Sequence, residues 1–350
     1  MVVFVTGGAG FIGSNFLNYF VQHYPMQNFI NIDNLTYAAN LHNLDQVANL
    51  SNYRFEKGCI TDYEFVEKLF KKYEPDLIVH FAAESHVDRS IIGPSDFIQT
   101  NIIGTFNLLE ACRKHWKNSK EKLFHHVSTD EVYGSLGING YFTEDSKYAP
   151  NSPYSASKAA SDHLVQAYNR TYNIPAKITN SSNNYGPYQF PEKLIPLMII
   201  NCLEGKKLPV YGAGLNIRDW IYVEDHIRAI WTVIEKGTIG ATYNIGGNNE
   251  WKNIDVVKKV CELMAEETGR EYSDYERLIF HVEDRPGHDF RYALDSSKIR
   301  QELGWKPHET FLSGLRKTIR WYLSNIDWIN GVKTGTYRKW IDQMYGNMEP

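Results

Sequence analysis

The sequence predicts an α/β fold: a doubly wound parallel sheet with a smaller, interleaved C-terminal domain. Three observations carry this prediction. Short apolar runs alternate with helix-like stretches through the first half of the chain. Several of these runs are apolar without interruption, as strands covered on both faces are. A glycine-rich turn, Gly7-Gly8-Ala9-Gly10-Phe11-Ile12-Gly13, joins the first run to the first helical pattern.

In chain order, the apolar runs predict strands at Val2–Thr6, Phe29–Asp33, Arg54–Gly58, Leu77–Ala82, Phe124–Ser128 and Ala176–Asn180. Between them the apolar spacing predicts helices at Ile12–Tyr24, Tyr63–Tyr73, Pro94–Trp116 and Pro153–Tyr172. Ser152 supplies an N-cap for the last of these, and Pro153 suits the first helical position. After Tyr185-Gly186-Pro187 the pattern loosens. A helix near Lys193–Leu203, a turn at Tyr211-Gly212-Ala213-Gly214, a strand at Thr242–Ile245 and helices at Asn253–Thr268 and Leu312–Ser324 are expected. No repeat, low-complexity tract or Pro/Ser-rich linker marks a boundary. The division expected is residues 1–183, joined by a returning strand near 242–246, and residues 184–350.

Composition narrows the function classes. The chain has 350 residues, 43% hydrophobic and 22% charged, with a net charge of −4. That balance does not favour a nucleic-acid partner, which asks for a basic excess. No apolar run approaches the roughly 18 residues of a membrane span, and Val2-Val3-Phe4-Val5 follows Met1 with no leader-like region. No membrane partner and a cytoplasmic location are therefore expected, with Cys59, Cys112, Cys202 and Cys261 reduced. No metal site is expected: His125 and His126 are neighbours on a strand and face opposite sides, and His80 reads as a packed strand residue.

Gly7, Gly10 and Gly13 sit between a strand and a helix, the context of a dinucleotide-binding (Rossmann) turn. Glycines allow close approach to a pyrophosphate, and the helix N-terminus faces it with free N–H groups. Asp33 ends the second strand, 20 residues after Gly13. An acid there accepts from a ribose 2′-hydroxyl and repels a 2′-phosphate, which favours NAD over NADP. A helix-packing glycine cluster with a solvated aspartate is the plain alternative, and the matched context weighs against it.

Tyr154 and Lys158 lie four apart on one helical face. A lysine near a phenol favours the phenolate, as a nicotinium ring does, and makes the tyrosine a usable base. That spacing is common by chance. Its support is Ser128-Thr129-Asp130-Glu131-Val132-Tyr133-Gly134, which ends the fifth strand, where ligands bind in such sheets. Asp130 and Glu131 would face opposite sides of a continued strand. Both serve one pocket only if the chain leaves the strand there. Two carboxyls in one site can divide the roles of acid and base; two solvated acids at a loop mouth is the alternative.

The glycine turn, a hydroxyl residue at a strand end and Tyr154/Lys158 together resemble the extended short-chain dehydrogenase/reductase family, over most of the chain. Within it, Thr129-Asp130-Glu131 is similar to the branch that removes water from nucleotide-linked hexoses. So are Ala82-Ala83-Glu84-Ser85-His86-Val87-Asp88-Arg89-Ser90, Asn183-Asn184-Tyr185-Gly186-Pro187, Arg218-Asp219-Trp220 and Asp284-Arg285-Pro286-Gly287-His288-Asp289. Phe290 departs from the pattern, where a basic residue is frequent.

The resemblance implies a hexose on a nucleoside diphosphate, with thymidine as the base on this ground alone. It implies Tyr154 as base for the C4 hydroxyl, Lys158 beside it, Thr129 on the C4 oxygen, Glu131 as base at C5 and Asp130 as acid at C6. It implies NAD contacts from Gly7, Gly10, Phe11, Ile12, Gly13, Asp33, Asn34, Asp62, Ala82, Ala83, Ser85, Tyr154, Lys158 and Asn184. It implies nucleotide-sugar contacts from Ser85, Thr129, Asn183, Arg218, Asn253, Asp284, Arg285 and His288. The family pairs helices matching Pro94–Trp116 and Pro153–Tyr172 across a dimer, and both carry apolar residues beyond one sheet-facing stripe, so a homodimer is expected. A nucleotide-sugar 4-epimerase or decarboxylase of the same architecture, or a non-catalytic NAD-sensing protein, remain the rival readings.

Overall fold

The computed structural model describes residues 1–116, 121–284 and 287–333. Six strands come from the first half: β1 (Val2–Thr6), β2 (Asn28–Asp33), β3 (Tyr53–Lys57), β4 (Leu77–His80), β5 (Leu123–Thr129) and β6 (Ala176–Ser181). Six short ones follow: β7 (Asn183–Tyr185), β8 (Leu208–Tyr211), β9 (Ile217–Tyr222), β10 (Thr242–Ile245), β11 (Glu250–Lys252) and β12 (Ile279–Val282). The main sheet runs β10-β6-β5-β4-β1-β2-β3, and every pairing in it is parallel. This is the doubly wound order, with a switch point between β1 and β4.

The uninterrupted apolar strands serve two cores at once, because successive side chains point to opposite faces. Phe4, Ile30, Ile78 and Phe124 are in register across four strands and join one buried cluster. Val3, Val5, Phe29 and Val79 face the other way into a second. The first face is covered by α2 (Tyr63–Tyr73), α5 (Thr105–His115) and α6 (Pro153–Tyr172), through Leu69, Leu108 and Val165. The second is covered by α1 (Phe11–His23) and α8 (Val223–Lys236), through Phe16, Phe20, Ile230 and Trp231. The short α3 (Val87–Ile92) and α4 (Ser95–Phe97) precede α5, and α7 (Leu194–Glu204) follows β7. A third cluster joins α7 to α9 (Asn253–Thr268) and, beyond the short α10 (Tyr272–Glu276) and α11 (Ser297–Leu303), to α12 (Phe311–Ser324). Met198, Val260 and Leu315 lie at its centre.

The predicted Pro94–Trp116 helix is divided. Between α4 and α5 the chain makes a wide π turn over Ile98–Gly104. Tertiary bonds set it: the Asn101 side chain bridges the Glu84 backbone and donates to Ser157 Oγ at 2.8 Å. No element is predicted for Val223–Lys236, where α8 forms with Glu224 and Asp225 in its first turn. The short strands β7, β8, β9, β11 and β12 also lie outside the predicted set. Among the described residues no helix is long and apolar enough to cross a membrane.

Candidate functional site

A cavity of about 320 Å³ opens at the carboxyl ends of β1, β2, β4, β5 and β6. Its first wall is the glycine turn. Gly7 has φ +72°, and a Cβ there would lie 2.7 Å from the Ala82 backbone. A Cβ at Gly13 would collide with the Gly7 carbonyl. Side chains at either position would therefore close the approach that a pyrophosphate needs. Gly10 caps α1 without a side-chain hydrogen bond, so the first N–H groups of α1 are left for a ligand. The Asp33 carboxylate accepts from Ala9 N at 2.9 Å and Leu35 N at 2.8 Å. Burial raises its pKa while these bonds oppose the rise. Gly10, Phe11, Ile12, Asn34, Ala82, Ala83, Ser85 and Asn184 line the same cavity.

The second wall is the end of β5. The chain leaves the strand after Thr129 and makes a 3₁₀ turn over Asp130–Tyr133, closed by Gly134 at φ +89°. This departure places Thr129, Asp130 and Glu131 together on one cavity. Thr129 Oγ1 accepts from Glu131 N and donates to Asp130 Oδ1, both at 3.3 Å. Asp130 is buried, and its Oδ2 has no hydrogen-bond partner among the described residues. Burial, then Glu131 and Asp219, hold its carboxyl well above the ordinary range; Arg218 opposes them. Its environment therefore favours the protonated form over the charged one.

Tyr154 and Lys158 reach the cavity from the first turns of α6. Ser152 accepts from Ser155 N, Ser155 Oγ returns to the Ser152 backbone, and Pro153 stands at the start. Tyr154 is hydrogen-bonded to Thr129. Its phenol is raised, first by burial and then by Glu131. The depression expected from Lys158 is not seen, for a geometric reason. The ammonium donates to the Val127 carbonyl at 2.9 Å and lies 3.5 Å from His126 Nε2. Burial lowers Lys158 itself to about 8, against the pull of Asp162.

Several expected residues lie elsewhere. Asp62 is exposed and its carboxylate caps α2 by accepting from Phe65 N at 3.0 Å; Gly58, Cys59 and Ile60 line the cavity instead. Asn183 does line it, and pairs β7 to β9, which carries Arg218. Arg218 is buried, donates to the Asp289 carbonyl at 2.8 Å and lies over the Tyr292 ring at 4.3 Å. Asn253 opens α9, with its side-chain oxygen buried and without a partner among the described residues. Asp284 and His288 pair at 2.6 Å beside Gly212 and Tyr211. These four do not line the cavity, and Arg285 lies outside the described residues. The sequence reading has no place for Thr100, Glu192 or Lys193, which also line it. Thr100 stands in the π turn, which has no sequence signature. Glu192 and Lys193 precede a very apolar helix, and two charges at that position are the only signal.

Comparison with known proteins agrees with this architecture. The profile of the GDP-mannose 4,6 dehydratase family matches residues 4–318. The dTDP-glucose 4,6-dehydratase of Shigella flexneri is 55% identical and aligns over 99% of both chains. The crystal structure of a dTDP-glucose 4,6-dehydratase from Bacillus anthracis in complex with NAD is 48% identical. It covers 95% of this chain and 100% of its own, with a TM-score of 0.85. The UDP-glucose 4-epimerase of Thermotoga maritima, solved with UDP-glucose, is 28% identical over 93% of this chain and 100% of its own, with a TM-score of 0.83.

Proposed function

The chain belongs to the GDP-mannose 4,6 dehydratase family, and from that membership we propose that it removes water from dTDP-glucose to give dTDP-4-keto-6-deoxyglucose. It is an NAD-dependent hydro-lyase of the extended short-chain dehydrogenase/reductase type. The observation that carries the reading is Asp130: a buried carboxyl on the cavity, its Oδ2 without a partner among the described residues, beside Glu131 and Thr129, with burial favouring its protonated form. Oxidation and re-reduction at one carbon, as in an epimerase, have no use for a proton-loaded acid beside a second carboxylate. Loss of water does, because hydroxide is a poor leaving group.

The residues present fit the cofactor. The glycine turn and the α1 N-terminus take the pyrophosphate, and Asp33 takes the adenosine ribose. NAD, when bound, supplies a hydride acceptor and donor and a positive charge beside Tyr154. Tyr154 takes the C4 hydroxyl proton, with its field of burial and Glu131 offset by that charge. Thr129 holds the C4 oxygen, and Lys158 holds the nicotinamide ribose. The 4-ketone acidifies the C5 proton, which Glu131 accepts. Asp130 gives its proton to the C6 hydroxyl as it departs, and Glu131 reprotonates C5 once C6 is reduced. Ser85, Asn183, Arg218, Asn253, Asp284, Arg285 and His288 form the nucleotide-sugar side.

Residues 1–183 carry the cofactor in this reading and residues 184–350 mainly the nucleotide sugar. The protein works in the cytoplasm as a homodimer. Support for the dimer is the exposed apolar set Ile91, Ile92, Ile98, Ile103 and Phe106 around α3 to α5.

The test uses dTDP-glucose deuterated at C4, in ordinary water. The label is expected at C6 of the product, with a solvent proton at C5. A second run in heavy water with unlabelled sugar is expected to place deuterium at C5 and not in the hydride delivered to C6. Label returned to C4 would mean epimerisation. Unchanged sugar would mean a binding protein. Label lost from the sugar would mean an ordinary dehydrogenase.

A further inference from the structure

The most deeply buried charges near the cavity are not all in the scheme above. Asp162 lies one turn beyond Lys158 on α6, does not line the cavity, and has a side chain wholly removed from solvent. Its Oδ2 accepts from Ser128 Oγ and from Tyr148 Oη, each at 2.9 Å. Its Oδ1 lies 3.2 Å from His126 Nε2, the nitrogen that Lys158 Nζ also approaches, at 3.5 Å. The carboxylate and the ammonium thus stand at one imidazole nitrogen, inside the protein.

We propose that Asp162 is the fixed counter-ion of Lys158, a positioning residue that keeps the lysine charged and aimed at the cavity. The proposal rests on the reading that Lys158 holds the nicotinamide ribose.

A buried lysine tends to lose its proton, because desolvation penalises the charged form. Among the described residues, Asp162 is the group that opposes this. His126 and His80 face it from β5 and β4, and burial holds both neutral. The lysine's one strong hydrogen bond goes to a neutral carbonyl, that of Val127. Burial and Glu131 push Asp130 toward its neutral form. Asp162 is the group that pulls Lys158 upward, and Lys158 pulls Asp162 downward in return. Burial raises Asp162 to about 6, with Ser128 and Tyr148 donating to keep the charged form. Other titratable neighbours of Asp162 are His163 on α6, which lowers it, Tyr133 on the 3₁₀ turn, and Tyr154 on α6, whose phenol it raises. Asn180 on β6 holds the Tyr148 hydroxyl at 3.4 Å. β5, through Ser128 and His126, and the Tyr148 hydroxyl therefore hold this carboxylate behind the lysine.

The experiment follows NAD affinity against pH, with NAD as the only ligand and protein fluorescence or calorimetry as the readout. In the wild type, affinity is expected to fall as Lys158 loses its proton, and Lys158→Met is expected to lack that step. Asp162→Asn is expected to move the midpoint down by about one pH unit or more, the effect of removing a nearby opposite charge. Asp162→Glu is expected to restore most of it. Tyr148→Phe keeps the ring packing and removes one donor, so it is expected to move the midpoint the same way by less. It also keeps the test open should Asp162→Asn fold poorly in a thermal melt. Wild-type midpoints in Asp162→Asn and Tyr148→Phe would overturn the proposal, as would a step that survives Lys158→Met. Failure to dehydrate dTDP-glucose would overturn the substrate reading and leave these titrations standing. An unchanged midpoint in a working dehydratase would overturn only the counter-ion.

Discussion

Asp130 shows how one residue's burial sets its chemistry. An aspartate in water releases its proton near pH 4. In the fold, burial and the neighbouring Glu131 keep the proton on well above that. The sign of the stability effect follows. Below about pH 4 folded and unfolded chains both hold the proton, and the site costs nothing. As pH rises, the unfolded chain releases it while the folded one does not, so stability is lost until the folded group titrates. Asp130→Asn, which cannot ionise, is expected to melt at a higher temperature than wild type at pH 7, with the gap narrowing toward pH 4. The same variant is expected to slow water loss about 10²- to 10⁴-fold. NADH formation from dTDP-glucose, followed at its absorbance band in a single turnover, is expected to persist. An unchanged dehydration rate would make Asp130 only a buried loop residue. The pairing of Asp130 with Glu131 was legible because two adjacent acids at a strand end are unusual. The environment of Asp130 was not, since it depends on burial in the assembled fold and on the charges of Asp219 and Arg218, residues far along the chain. Asp62 is placed otherwise than the cofactor contact expected of it: it does not line the cavity, and one of its carboxylate oxygens caps α2.

At the level of single elements, α6 was almost fully legible and the segment before α5 was not. Ser152, Pro153 and a spacing of four between Tyr154 and Lys158 are local signals, and the structure forms the helix over Pro153–Tyr172. The capping box adds Ser155 to them. Ser152→Ala is expected to cost about 1 kcal/mol of stability in a denaturant melt. Tyr154 sits in that first turn, so NADH formation is expected to slow as well. A variant that melts as wild type would show that Ser155 and Pro153 suffice to start the helix. The π turn over Ile98–Gly104 is different in kind. Its sequence reads as ordinary helix, and its extra width comes from Asn101 reaching to Glu84 and Ser157, contacts that exist only once the sheet is assembled. The strands β7 and β9 are similarly invisible: three and six residues long, they pair only because the chain returns to the cavity mouth. α8 has an apolar spacing at Val223, Ile227, Ile230 and Trp231 that a helix requires, masked by Glu224, Asp225 and His226 among them.

For the molecule as a whole, the exposed isoleucines around α3 to α5 are the test of assembly. Several large apolar side chains exposed in one stretch of chain are candidates for an interface. Ile98→Asp combined with Phe106→Glu is expected to halve the mass seen by light scattering while leaving the far-ultraviolet circular dichroism unchanged. A wild-type protein that already scatters as a single chain would remove the dimer.

The strand order has a consequence for how the chain is made. β10 borders β6 along Ile178–Ser181 and completes the sheet, yet it lies beyond β7, β8, β9 and α8 in sequence. During synthesis β6 therefore waits as a bare edge, its N–H and C=O groups open to stray pairing, until the ribosome has released the whole intervening lobe. The same order means that a cut near residue 183 would separate no finished unit. It would leave the cofactor half missing a border strand that only the other half encodes.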